Sequence, residues 1–307
     1  MGDVIHALPV ASAIHEAWPH TEITWIVDPR WQPLLENHPA ITRTHTFPRQ
    51  LFYGISGMSK AIRWFSELPQ FRSDLVLDLQ GLFRSGLMAK CTKSPRIYGL
   101  RDAREGASIF YNNHIEVTRN EHSVKRYLKC LPAIGVPLPD KPRFSLVSKT
   151  PSPMKGDYLV VHPFARGKGK SLEKESLEAL VSSIARLANI PIVLAGVGEL
   201  SMKCDSAVVN LIGQTSLQEM AALLQNAKFV ISVDSGPMHL AAALRTPLLG
   251  IHTWSDPRLV GPYDEDAWIW QGGEIRRQDL KRPPLPEQIF SPKHAEDIAK
   301  FVAARIS

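Results

Sequence analysis

Residues 229–251 read FVISVDSGPMHLAAALRTPLLGI, and this stretch decides the fold. Phe229 to Val233 is a short β-branched run that is typical of a buried parallel strand. A turn and an alanine-rich helical segment follow it, and LLGIH (248–252) then has the composition of another strand. A strand, a tight turn, a helix and a second strand at this spacing predict a parallel α/β sheet.

The turn after the first of these strands has two interpretations. Ser235 and Gly236 provide flexible backbone, and His239 falls in the first turn of the helix. Unpaired amides, the positive end of the helix dipole and an imidazole would then meet at one point, which suits a phosphate group. The alternative is that Asp234 and Ser235 only cap the helix and that His239 is an ordinary surface side chain. The turn alone leaves both interpretations open.

The alternation of strands and helices extends in both directions. Strands are predicted at 22–28, 74–81, 96–100, 158–162, 190–199 and 208–213. Helices are predicted over the first 18 residues and at 59–68, 82–90, 124–131, 173–188, 217–226 and 293–305. Ser216 and Glu219 have the spacing of a capping box at the start of the helix 217–226. This pattern predicts a doubly wound parallel sheet in each half of the chain.

The first helix is expected to be amphipathic, with buried positions at Ile5, Leu8, Ile14 and Trp18. In an α/β fold such a helix normally follows a strand. We therefore expect the first strand of the N-terminal domain to be missing and the domain to be weakened.

Two domains of ordinary size are expected in 307 residues. Five prolines and little periodicity mark residues 137–156 as the boundary. The interpretation is a Rossmann-like domain over 1–150 and another over 151–307, with the last helix, 293–305, packing back on the first.

The composition is that of an ordinary globular protein, with 44% hydrophobic and 21% charged residues. No apolar run approaches the roughly 18 residues of a membrane span, so we expect a cytosolic protein.

Cys91, Cys130 and Cys204 are too far apart to suggest a disulfide framework or a metal cluster. The net charge of +6 has two interpretations: either the protein binds an anionic partner, or it is mildly basic for no functional reason. Nucleic acid is disfavoured, because the basic residues are scattered among acidic ones without an aromatic–basic stripe.

Ligands of open parallel sheets bind beyond the carboxyl ends of the strands. In the second half those ends carry positive charge and a carboxylate suited to ribose hydroxyls, on Arg166, Lys168, Lys170 and Glu199. Together with the 235–239 turn they predict a nucleotide site. In the first half, Asp3 stands at a helix N-terminus, where it either caps the helix or acts as a general base. The sequence contains no metal-ligand spacing, Walker loop or GxSxG elbow, and no GxGxxG motif opens its first helix.

With these residues identified, the chain resembles the ADP-heptose heptosyltransferases of glycosyltransferase family 9, which build the inner core of lipopolysaccharide. The resemblance covers nearly the whole length, in the segments GDVIHALP (2–9), DLQGLFRSG (78–86), REGASIFY (104–111), HSVKRY (122–127), HPFARGKGKSL (162–172), SVDSGPMHLAAAL (232–244) and TWSDPRLVGPY (253–263). The third and fourth segments are most similar to the type I enzymes, which add the first heptose to Kdo-lipid A.

The resemblance implies a glycosyltransferase B fold, with an acceptor domain (1–150) and a donor domain (151–307) facing across a cleft. It further implies an inverting transfer that needs no metal or cofactor, on the cytoplasmic face of the inner membrane and in peripheral contact with that anionic surface. Asp3 would be the catalytic base and Lys170 would neutralise the leaving diphosphate. The donor ADP-heptose would contact Arg166, Lys168, Glu199, Thr215, Asp234, Ser235, Gly236 and His239. The acceptor Kdo-lipid A would contact Arg84, Arg101 and Arg126.

Three questions remain open at this level. Phe164 and Ala165 can offer only backbone groups to the phosphate, where relatives often have hydroxyl side chains. Either Lys168 or Lys170 is the lysine that contacts the phosphate, and Lys170 is preferred because it stands just before the predicted helix. The acceptor and donor could be those of a type II or another family 9 transferase. A non-catalytic nucleotide-sugar binding protein is the remaining alternative.

Overall fold

The computed structural model describes residues 1–52, 54–167, 169–198 and 207–306. The chain divides into two compact units. The N-terminal unit is His6–Ser145, and the C-terminal unit is Leu146–Ser307 together with Met1–Ile5. Residues 137–156, where the sequence predicts the domain boundary, contain no helix or strand. Within the described ranges, no helix combines the length and the apolar character that a membrane span requires.

In the described residues, the N-terminal unit contains five short strands in two parallel sheets. One sheet pairs β1 (Thr24–Val27) with β2 (Arg43–Thr46). The other has the order β3 (Leu75–Asp78), β4 (Arg96–Leu100) and β5 (Asn113–Ile115). The helices are α1 (Gly2–Ala17), which belongs to this unit from His6 onward, α2 (Ile55–Glu67), α3 (Phe83–Cys91), α4 (Ser123–Leu128) and α5 (Cys130–Ile134). Except for β2 and β5, each strand lies within a predicted segment.

Helix α1 differs from its prediction. Ile5, Leu8 and Ile14 are buried as expected, but every residue from 5 to 14 is buried, so the helix is enclosed on all sides and is not amphipathic. Trp18 is 38% exposed, because the helix ends at Ala17 and the tryptophan lies beyond its last turn. The prediction that Trp18 is buried is therefore wrong.

A buried carboxylate holds the turn after β3. Asp78 accepts hydrogen bonds through Oδ1 from the amides of Gln80 and Gly81, and through Oδ2 from the hydroxyls of Ser85 and Tyr111. The tyrosine bond is 2.7 Å long, and burial together with the adjacent carboxylate raises the pKa of Tyr111. Four donors satisfy the buried charge, so this network fixes the strand end.

The described part of the C-terminal unit is built on one sheet of seven strands. Its strands are β6 (Leu159–His162), β7 (Ile192–Gly196), β8 (Val208–Ile212), β9 (Phe229–Val233), β10 (Leu248–Ile251), β11 (Trp268–Gln271) and β12 (Glu274–Arg277). Their order is β12-β11-β10-β9-β6-β7-β8, and every pair is parallel except β11 with β12. Gly272 and Gly273 form the two-residue turn of that hairpin with φ of 57° and 83°, the conformation that a type I′ turn requires.

Five α-helices of the described ranges accompany this sheet. They are α6 (Lys174–Leu187), α7 (Leu217–Gln225), α8 (Gly236–Ala243), α9 (Pro257–Val260) and α10 (Ala295–Ile306). The capping box of α7 is confirmed, since the Ser216 hydroxyl accepts from the Glu219 amide and the Ser216 amide donates to the Glu219 carboxylate. In α8, Ala241 to Ala243 are buried, and Met238 lies over Gly250, where a Cβ atom would come within 2.9 Å of its sulfur. Small residues thus allow α8 to lie close to the sheet.

The final helix, α10, buries Ile298, Ala299 and Val302 in the main core of the C-terminal unit. It packs against α6 of the same unit. This apolar face is therefore used within its own unit, and the packing of the helix on the first domain stays a prediction.

Candidate functional site

The strand order of the C-terminal sheet has a switch point between β6 and β9. These two strands are neighbours, and from them the chain continues to opposite edges, through β7 and β8 on one side and through β10 and β11 on the other. The loops that leave the carboxyl ends of β6 and β9 therefore diverge and open a crevice at that edge, which is the usual ligand position in open α/β sheets. His162 ends β6 and is paired in register with Ser232 of β9, which ends one residue later. The two loops therefore begin close to each other along the strand direction.

Lys170 and Asp234 form an ion pair at this switch point. The distance from Nζ to Oδ2 is 2.5 Å, and the side chains are only 18% and 7% exposed. The Nζ atom also lies 4.6 Å from the centroid of the Trp254 ring, a cation–π contact. Asp234 follows β9, Lys170 lies in the loop after β6, and Trp254 lies in the loop after β10. Three strand-end loops therefore meet at one ammonium group.

The capping alternative for the turn after β9 is not realised. Ser235 is the N-cap residue of α8, but its side chain makes no cap hydrogen bond. Its hydroxyl lies 3.2 Å from His162 Nδ1 and 3.2 Å from Ser232 Oγ, and the Asp234 carboxylate faces Lys170. His239 is buried in α8 and is not a surface side chain. The first amides of α8 are thus left without a side-chain cap from Ser235, at the positive end of the helix.

Two buried histidines next to these groups are neutral at physiological pH. Burial lowers the pKa of His162 to about 4. Burial also lowers the pKa of His252, the residue after β10, to about 4, against an opposing effect of the Asp234 carboxylate. Neither ring therefore adds positive charge to the crevice, and Lys170 is its main cation within the described part of the chain.

The first residues of the chain lie at the N-terminus of α8. A Cβ atom at Gly2 would come within 3.3 Å of His239 Cδ2, and one at Gly236 would come within 2.0 Å of Met1 Cε, so the Met1 side chain occupies the space beside Gly236. Asp3 is exposed in the first turn of α1, directly after Gly2. An exposed carboxylate is thus adjacent in sequence to a glycine whose missing side chain would point at the His239 ring.

The other donor-side candidates are less closely involved. Arg166 is exposed in the loop after β6, and Thr215 is half-buried immediately before the capping serine of α7. Lys168 and Glu199 lie outside the described residues. The choice between the two lysines therefore stays a prediction, although Lys170 is the one whose ammonium group is seen at the switch point.

The three acceptor-side arginines belong to the N-terminal unit and have different surroundings. Arg126 is partly buried and donates from one nitrogen to both oxygens of Asp102, at 2.8 and 2.6 Å. Its Nε is buried with no hydrogen-bond partner among the described residues. Arg101 pairs with Glu116 at 2.8 Å on the surface, and Arg84 is half-buried. These contacts do not bring the three arginines onto a shared partner.

Sequence reasoning missed His162, His252 and Trp254 as members of the site. All three follow or end strands at the carboxyl edge of the sheet, where the rule for parallel sheets directs attention. The sequence did carry a signal for Trp254, because a large aromatic residue stands in a strand-end loop. In the structure its side chain is 48% exposed. Its proximity to Lys170 was not readable from the sequence, because 84 positions separate them.

The fold of the whole chain is similar to that of solved bacterial sugar transferases. It matches the E. coli heptosyltransferase WaaC with ADP at a TM-score of 0.83 and 24% identity, over 99% of this chain and 97% of that one. It matches E. coli ADP-heptose lipopolysaccharide heptosyltransferase II at a TM-score of 0.72 and 20% identity, over 99% and 94%. The predicted fold class, two Rossmann-like domains of the glycosyltransferase B type, is thereby confirmed.

The family follows from the sequence comparison. The profile of glycosyltransferase family 9 (heptosyltransferase) matches residues 62–287, and the chain belongs to this family. It is 28% identical to the lipopolysaccharide core heptosyltransferase OpsX of Haemophilus influenzae, over 86% of this chain and 79% of the relative. It is 27% identical to lipopolysaccharide heptosyltransferase 1 of E. coli K12, over 95% and 97%. The protein is a glycosyltransferase.

Proposed function

We propose that this enzyme transfers L-glycero-D-manno-heptose from ADP-heptose to the Kdo sugar of lipid A, in the inner core of lipopolysaccharide. Several relatives carry the name lipopolysaccharide heptosyltransferase 1, which supports this choice of reaction. The observation that carries the proposal is the Lys170–Asp234 pair beside the N-terminus of α8, with Asp3 close by.

The donor side is the crevice at the β6–β9 switch point. A departing ADP carries its negative charge on the diphosphate, and this transfer proceeds without a metal in our proposal. The charge must then be stabilised by the Lys170 ammonium and the first amides of α8. Preorganised donors of this kind can each contribute roughly 3–4 kcal/mol to the transition state. Ser235, Gly236 and His239 line the same turn, while Arg166, Lys168, Glu199 and Thr215 are assigned to the donor by resemblance alone.

Asp3 acts as the general base. Inversion requires an acceptor hydroxyl that attacks from the side opposite the leaving diphosphate, and one carboxylate suffices to take its proton. The exposed position of Asp3 leaves its oxygens open to an acceptor, and the neighbouring Gly2 is oriented towards His239 of the donor turn.

The acceptor carries the Kdo carboxylate and the lipid A phosphates. Arg84, Arg101 and Arg126 are proposed to bind these anions, because a guanidinium donates charge-assisted hydrogen bonds to carboxylates and phosphates. Because the acceptor is anchored in lipid, we further propose that the enzyme works on the cytoplasmic face of the inner membrane. Its net charge of +6 would favour contact with that anionic surface.

The test is ADP release from purified enzyme incubated with ADP-heptose and Kdo-lipid A. Release with both substrates and its loss in Asp3→Asn, with ADP-heptose binding retained, are expected. Glu22→Gln is the matched control, since it removes another exposed carboxylate that has no place in the proposed site. Turnover only with a heptosylated acceptor would instead indicate a type II activity. Undiminished turnover in Asp3→Asn would remove Asp3 from its role, and binding without turnover on any acceptor would favour a non-catalytic protein.

His239→Ala tests the donor turn separately. We expect this variant to raise the KM for ADP-heptose while it lowers the melting temperature only slightly. A lower melting temperature that accounts for the whole loss of activity would return the turn to a structural role.

A further inference from the structure

Trp254 is a large apolar side chain that is held half in solvent beside the proposed diphosphate site. It is 48% exposed, although the loop that carries it follows a strand whose residues are all buried. Its ring faces the Lys170 ammonium at 4.6 Å. Exposing so much indole surface is unfavourable unless the ring has another role.

The loops after β6 and β10 are joined at two successive residues. The Thr253 hydroxyl donates to the carbonyl of Gly169 at 3.0 Å. A Cβ atom at Gly169 would lie 3.9 Å from Trp254 Nε1, and Gly169 has a φ of 77°. Threonine thus fixes the backbone just before the lysine, and tryptophan covers the lysine side chain itself.

The two partners of Lys170 act differently on its charge. The Asp234 carboxylate orients the ammonium but largely neutralises it and competes with any incoming anion. An aromatic face attracts a cation through its quadrupole without carrying a net negative charge. The ring therefore restricts a flexible four-carbon side chain and leaves its charge available to a phosphate.

We propose that Trp254 is a positioning residue for Lys170, which holds the ammonium at the switch point when a diphosphate displaces it from Asp234. This inference rests on the proposed function, because it takes ADP-heptose as the ligand. It assigns to this chain a determinant of donor affinity that acts through the lysine and not through contact with the donor.

The first experiment measures ADP binding by calorimetry. A cation–π contact at a half-exposed site predicts that Trp254→Leu raises the Kd for ADP about fivefold. Trp254→Phe retains an aromatic face and is expected to stay within about twofold of the wild type. Trp18→Leu is the matched control, because it removes another partly exposed indole in the N-terminal unit and should leave the Kd unchanged. An unchanged Kd in Trp254→Leu, or equal losses in the Phe and Leu variants, would overturn the proposal.

The second experiment separates positioning from direct contact or general packing. In a Lys170→Met background the ammonium is absent, so adding Trp254→Leu should change ADP affinity no further. A further loss of severalfold in the double variant would show that the ring acts on the ligand or on the fold, and would overturn the proposal. Thermal shifts at millimolar ADP extend the comparison to weak binders. If the wild type itself failed to bind ADP, the proposed donor would be wrong as well. If the wild type and Trp254→Leu bound ADP equally well, only the role of Trp254 would be refuted.

Discussion

Replacing His252 with asparagine is expected to reduce the loss of folding stability between about pH 7 and pH 5. The ring is fully buried, and its Nδ1 lies 3.0 Å from the hydroxyl of Ser255. An asparagine amide can reach the same hydroxyl but does not titrate. The variant therefore removes the titrating group and retains its polar contact.

The magnitude follows from the pKa in the two states. Burial lowers the pKa of His252 from 6.5 to about 4, so the unfolded chain takes up the proton first as the pH falls. The stability that the neutral ring provides is present above the unfolded pKa and is lost progressively as the pH falls towards 4. At pH 5 the loss amounts to about 2 kcal/mol, and it approaches about 3 kcal/mol below pH 4.

Urea unfolding at about pH 7 and about pH 5 measures this effect. The cavity left by His252→Asn lowers the free energy of unfolding at both pH values, but this cost is the same at each and cancels in the difference. Other titrating groups cancel in the same way, so the drop from pH 7 to pH 5 should be about 2 kcal/mol smaller in the variant than in the wild type. His20→Asn, which replaces an exposed ring, is the control and should keep the wild-type drop. An equal drop in wild type and His252→Asn would refute the reasoning.

Two further predictions concern buried and capping hydrogen bonds. Tyr111→Phe removes one of the four donors to the Asp78 carboxylate and should lower the free energy of unfolding by about 1.5–3 kcal/mol, measured by urea titration; a loss below about 0.5 kcal/mol would show that water replaces the hydroxyl. Ser216→Ala breaks the capping box of α7 and should cost about 1 kcal/mol, whereas Ser216→Gly should cost only a few tenths; the reverse order would contradict a capping role.

Local patterns predicted most of the elements but missed the strands β2, β5, β11 and β12. Strands β6, β7, β9 and β10 are hydrophobic runs that are buried throughout, and this composition identified them, whereas β8 was identified although it is only half-buried. By contrast, β2 reads RTHT and β5 has only three residues, so neither carries a hydrophobic pattern of its own. Such strands form because a neighbouring strand supplies hydrogen-bond partners, which is tertiary information. The hairpin of β11 and β12 had a readable signal in Gly272-Gly273 that the sequence prediction did not use.

By itself, the sequence determined which residues stand at strand ends, because a strand followed by a turn and a helix places its last residues at the carboxyl edge of the sheet. This was enough to select Lys170, Asp234 and Ser235 as site candidates, and the family motifs agreed. Only the tertiary structure decided that β6 and β9 are neighbours, because strand order depends on pairing between distant segments. That order brings Asp234 and Trp254 to the Lys170 ammonium, buries His162 and His252, and so sets their charge. Partners, burial and pKa are properties of the assembled sheet and are not encoded in any one segment of the chain.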